Sequence, residues 1–98
     1  MAKIFITYWR DIPSQVTAKA GRKAEKIMLS DRFQEAIDMA AMRSKAADAE
    51  DYLDEWRRGD PAECGDDLAA EVAQTAEQLE ADYDDTRIKS LIASGGTA

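Results

Sequence analysis

The side chains of this sequence that could do chemistry are twenty carboxylates and one thiol, with no imidazole beside them. Without histidine, the commonest general base and the commonest transition-metal ligand are both missing. Cys64 cannot build a zinc or iron–sulfur site alone. Asp82, Asp84 and Asp85 lack the ligand spacing of a calcium loop. The five glycines are scattered or terminal, so no phosphate-cradling loop is written into the chain. No metal and no cofactor are expected. Paired carboxylates are the catalytic option this composition leaves open, and nothing marks any pair as buried. The balance favours a non-catalytic role.

Cys64 carries the enzymatic alternative, a small thiol-dependent enzyme or redox protein. It stands near the start of an expected helix, whose dipole lowers a thiol pKa, but Glu63, Asp66 and Asp67 disfavour the thiolate. An inert thiol is the plainer reading. A single cysteine excludes an internal disulfide and fits a reducing compartment. No apolar run approaches a bilayer span and the N-terminus lacks a signal-peptide core, so a cytoplasmic protein with no membrane contact is expected.

Binding residues are better marked. The net charge of −7 conceals an asymmetry: residues 1–32 carry +4 and residues 33–98 carry −11. Such polarity gives one face able to meet an anionic partner, beside the plainer reading of ordinary solvated charge. Alternation in the first strands sends Phe5, Thr7, Trp9, Thr17, Lys19, Lys26 and Met28 to one side of a sheet. Aromatic residues among lysines suit a protein partner, so Phe5, Trp9, Arg10, Lys19 and Lys26 form the expected contact surface. The same residues could stack single-stranded bases, a weaker reading because total charge is negative and no RNA-binding sheet signature is present. The competing structural reading is that the C-terminal helix folds back and turns this face into core.

The positioning elements follow from periodicity. Residues 3–10 alternate as a strand, Asp11 to Ser14 reads as a loop around Pro13, and strands follow at 15–20 and about 23–29 with Gly21-Arg22 as a tight turn. Short connections favour an antiparallel meander. Ser30-Asp31 marks a helix start, and residues 31–58 read as two helices broken near 44–48, the second bearing Ala49, Tyr52, Leu53 and Trp56 and ending at Gly59. Asp60-Pro61-Ala62-Glu63 reads as the next start, with Asp66 a second candidate cap. From Leu68 a regular stripe of Leu68, Val72, Leu79 and Tyr83 packs on the domain or on a second copy, the expected homo-oligomer contact. Ile88, Leu91 and Ile92 mark a last short docking segment. The fold class expected is α+β: a three-stranded antiparallel meander followed by two or three helices on one face, forming a single domain over 1–93 with a frayed tail at 94–98.

The segment Ile6-Thr7-Tyr8-Trp9-Arg10-Asp11-Ile12-Pro13, with Arg32-Phe33-Gln34-Glu35-Ala36-Ile37-Asp38 and Tyr52-Leu53-Asp54-Glu55-Trp56-Arg57, resembles a small bacterial family labelled "virulence factor". The resemblance covers about residues 3–58. The label is historical and brings no catalytic residues. A similar domain at the end of a larger virulence-associated protein is what an interaction module would show. Stand-alone members beside genes for corrinoid- and folate-dependent one-carbon transfer imply an accessory subunit of such a methyl-transfer system.

Overall fold

The computed structural model describes residues 2–43 and 53–97. Its fold is α+β. Strands β1 (Lys3–Trp9), β2 (Ile12–Ala20) and β3 (Lys23–Met28) form the expected antiparallel meander. Helices α1 (Asp31–Arg43), α2 (Leu68–Asp82) and α3 (Asp85–Ala93) accompany it. Gly21 takes a φ of +60° between β2 and β3, a conformation a side chain would oppose. The proposed break near 44–48, and with it the choice between one helix and two, lies outside the described residues.

The sheet is larger than the meander. Trp56–Arg58, expected as the end of a helix, is strand β4 and pairs antiparallel with β1. Ala62–Glu63, expected as a helix start, is strand β5 and pairs with Lys3 and Ile4. Gly59 donates to Ile6 O at 2.7 Å and Cys64 to Ala2 O at 3.2 Å. Trp56–Arg58 and Ala62–Glu63 are therefore two short edge strands along β1, separated by residues 59–61, where Pro61 has no N–H to give. The open edge of β1 needed donors and acceptors, and from Trp56 onward this need prevailed over continuation of a helix.

The loop after β1 is also shorter than expected. Only Arg10 and Asp11 separate β1 from β2, and Arg10 adopts a φ of +54°, rare for a residue with a side chain. Pro13 lies inside β2, opposite Tyr8, where it is tolerated because the register slips beside it. Thr7 pairs with Gln15 and Tyr8 with Pro13, leaving Ser14 as a bulge. The slip sets Ile12 opposite Trp9, and both are completely buried.

α2 packs over β2 and β3, while α1 packs against α3 and β2. Asp67 caps α2 by accepting from Ala70 N, and Asp84 caps α3 by accepting from Arg87 N. Leu68, Val72 and Leu79 are buried in the monomer, so the seam proposed for a second copy is already occupied by the sheet. Tyr83, also in that proposal, sits edge-on to Phe33 with ring centroids 6.1 Å apart. Ile88 and Leu91 dock as expected.

Within the tail, residues 94–96 are held by hydrogen bonds to the last helix and the first hairpin. Gly95 and Gly96 are buried, with φ of +76° and +97°. Asp11 N donates to Gly96 O at 2.8 Å, Gly96 N to Leu91 O at 2.7 Å, and the Arg10 guanidinium to Gly95 O at 2.7 Å. A Cβ on Gly96 would stand 2.9 Å from Cζ3 of Trp9, so glycine is required by both its backbone and its neighbour. Far from this, Glu80 joins α2 to the start of α1. Burial alone would raise its pKa. Hydrogen bonds from Ser30 N and Oγ (both 2.8 Å) and the Arg32 guanidinium at 3.1 Å outweigh burial, and the carboxyl is held below its ordinary value.

Two outcomes are expected. Gly96→Ala should destabilise the fold by about 1–3 kcal/mol in chemical denaturation, the range for a side chain forced into left-handed backbone; an unchanged midpoint would show that the tail bears no load. Because the Glu80 pKa is depressed, its stabilisation is full above the ordinary value of 4.5 and lost as pH falls through the folded value. The stability gap between the wild type and Glu80→Gln should therefore close on acidification, and a gap independent of pH would contradict the linkage.

Candidate interaction site

Strand register places the outer side chains in rows across the sheet. Lys19 of β2 stands between Lys3 and Ala24; Thr17 stands between Phe5 and Lys26; Thr7 stands between Gln15 and Arg58. Residues opposite one another point to the same face. These rows line an open groove of about 580 Å³ that also takes in Glu25, Trp56 and Arg57. The Arg58 guanidinium lies 4.9 Å from the Phe5 ring centroid and the Lys19 ammonium 5.9 Å from it, both within cation–π range. Among the described residues, Lys19, Lys26 and Arg58 therefore bring three cations to this face of a chain whose net charge is −7.

Of the expected contact residues, Phe5, Lys19 and Lys26 are brought together here. Trp9 is not. It shares strand parity with Phe5 and Thr7, yet its exposure is 0%. It belongs to the same core cluster as Ile12, Phe33 and Ile37, with Gly96 against its ring. The C-terminal turn thus closes the Trp9 end of the face and leaves the Phe5 end open. Arg10 is also diverted: its guanidinium stacks 5.0 Å from the Trp9 centroid and bonds to Gly95 O and Glu55. Both belong to the turn that holds the tail and do not line the groove.

The aromatic wall comes from a residue assigned in the sequence to helix packing. Trp56 stands opposite Trp9 in the β1–β4 pair, half-buried, and lines the groove. Arg58 was missed for the same reason, since Arg57-Arg58 reads as a basic helix end. Alternation of Trp56 and Arg58 around Arg57 is a period-two signal, too short to outweigh the helical stripe.

On the other side of β1 a smaller cleft of about 350 Å³ lies among Tyr8, Asp11, Arg57, Tyr83 and Arg87. Arg57 stacks on Tyr8 at 4.6 Å and Arg87 on Tyr83 at 4.0 Å, while Arg57 is also bonded to Asp11. Burial raises the Tyr8 pKa, with Tyr83 adding to the shift. Cys64 lies just beyond β5 and ahead of the cap of α2. Burial pushes its thiol up, and Glu71 and Asp66 push it further, which works against a nucleophilic thiolate. Among the described residues no three acidic or thiol side chains gather as a metal site. No described helix is long and apolar enough to cross a membrane.

Comparison with known proteins agrees with the family resemblance and extends it through the helices. The chain belongs to the virulence factor family, which matches residues 7–92. It is also similar to the uncharacterized protein YpgR of Bacillus subtilis (strain 168), at 33% identity over 94 residues. That match takes in 91% of this chain and 22% of YpgR, so the chain spans a minor part of the longer relative. No solved structure matches it.

The two indoles should be separable in solution. Acrylamide quenching of tryptophan fluorescence is expected to act on Trp56, so that Trp56→Phe leaves a blue-shifted, weakly quenched emission from Trp9. Quenching that survives Trp56→Phe would mean that the Trp9 indole is not sealed.

Proposed function

We propose that this member of the virulence factor family is a non-catalytic interaction or accessory subunit that docks a partner protein in the groove of its open sheet face. The observation that carries the reading is the gathering of Phe5, Trp56, Lys19, Lys26 and Arg58 along one groove of an otherwise acidic chain. Tryptophan, phenylalanine and arginine are the residues that anchor protein interfaces. Support also comes from the alignment with 22% of YpgR, since a segment carried within a longer chain suits a module that works beside other domains. A role in folate- or corrinoid-dependent methyl transfer rests on the family resemblance alone.

The mechanism is recognition. Cations around the groove steer an anionic surface inward, and their effect falls as salt screens them. Phe5 then supplies apolar area at the centre, where exclusion of water gives contacts most of their strength, and Trp56 supplies it at the end toward Trp9. The floor is set by Thr7, Gln15 and Thr17, held in paired strands, so little ordering is needed on docking.

A photo-crosslinking residue at position 26, in cells of the native host, is expected to form an adduct with another polypeptide. Phe5→Ala in the same chain should abolish it, and a probe at position 78 on α2 should form none. Equal adducts from positions 26 and 78, or an adduct indifferent to Phe5→Ala, would contradict docking in the groove.

A further inference from the structure

Resting on that docking role, we infer that the groove takes an extended acidic segment of a partner protein in which two carboxylates flank an apolar side chain at alternate positions. The row geometry carries this. Along β1 the row of Lys19 comes first, the row of Phe5 and Lys26 second, and the row of Arg58 and Thr7 third. Successive rows are two residues apart, roughly 6.8 Å, so the backbones of Lys19 and Arg58 stand roughly 14 Å apart with the Phe5 row midway. Their charged groups lean inward over the Phe5 ring, 5.9 and 4.9 Å from its centroid, one from each side row.

An extended peptide has the same repeat. Its side chains at i, i+2 and i+4 point to one face at roughly 6.8 Å intervals. Laid along β1, a segment of the form Glu-x-Leu-x-Glu sets one carboxylate in the Lys19 row, leucine in the Phe5 row on the phenyl ring, and the second carboxylate on Arg58, with Trp56 one row beyond. Arginine is suited to that end, because its planar fork can take both carboxylate oxygens. Lys26, in the middle row, adds charge at the rim.

Nucleic acid fits less well. Its phosphates repeat along the whole strand and gain affinity from many cations in line. Here the middle row is centred on a phenyl ring, Glu25 lies at the margin, and the surrounding chain carries the net charge of −7. The groove is matched to a short acidic run with an apolar centre.

The test uses the full chain and three probes: a peptide containing Glu-x-Leu-x-Glu with x as serine, a scramble of identical composition, and single-stranded oligothymidine. Affinity is read by Trp56 fluorescence or calorimetry. The patterned peptide is expected to bind at least about tenfold more tightly than the scramble, and Lys19→Glu or Arg58→Glu to weaken it roughly tenfold or more. Lys26→Glu, at an exposed edge position, supplies a variant whose folding is not at issue and should weaken binding at low salt. Equal binding of peptide and scramble would reduce the effect to unpatterned charge and overturn the inference. Tighter binding of oligothymidine would overturn it in favour of nucleic acid, and self-association abolished by Lys26→Glu would assign the groove to a second copy. If no probe binds while the position-26 adduct remains dependent on Phe5, the acidic pattern fails and the docking role stands; loss of both fails both.

Discussion

The seating of Gly96 on the Trp9 indole is the contact from which the rest of the arrangement follows. It lets the largest aromatic side chain of the first hairpin be buried although its strand parity directs it to the outer face. The close approach excludes any Cβ at position 96, and the Asp11 N–H to Gly96 carbonyl bond fixes the tail in register with the turn. The unusual backbone of Arg10 belongs to the same assembly: its main-chain N–H meets Glu55, and its side chain meets Gly95. Strain in a turn persists where surrounding contacts over-determine it, and here they come from both the tail and the segment leading to β4. One end of the sheet face is thereby closed while the groove at the other end stays open.

That division gives the surface its chemistry. Burying Trp9 leaves Phe5 and Trp56 as the groove aromatics, with cations arriving from three strands: Lys19 on β2, Lys26 on β3 and Arg58 on β4. No two of these cations are neighbours in sequence, and only pairing of the strands brings them together. The acidic helices keep the molecule's net charge negative, so the basic groove contrasts with the rest of the surface. Such contrast favours orientation during encounter more than raw affinity. Cys64, with its thiol pushed up by burial and by Glu71 and Asp66, does not share in this surface.

Local periodicity makes the meander, the helix beginning at Leu68 and most of the outer face legible in the sequence. Phe5, Thr7, Thr17, Lys19 and Lys26 fall where alternation puts them, because those strand segments are regular. The misplacements share one physical origin: they depend on contacts between residues distant in sequence. Trp56 is the last member of a helical stripe, but β1 had an unpaired edge, and backbone pairing prevailed from that residue onward. Ser14 bulges to keep both Ile12 and the Val16 side of β2 buried, which no alternation rule signals. Gly95-Gly96 reads as a loose end in isolation, and its role is visible only once Trp9 lies beneath it. Paired terminal glycines after an apolar helix could have suggested a close approach, since left-handed backbone and contact with a ring both call for glycine.

Two tryptophans in neighbouring strands have opposite roles, one sealed and one at the groove. Fluorine NMR of the protein labelled with fluorotryptophan, titrated with the Glu-x-Leu-x-Glu peptide, tests this most directly. The Trp56 resonance is expected to move with saturation while the Trp9 resonance holds its position. Movement of Trp9 alone, or of both to the same extent, would contradict it.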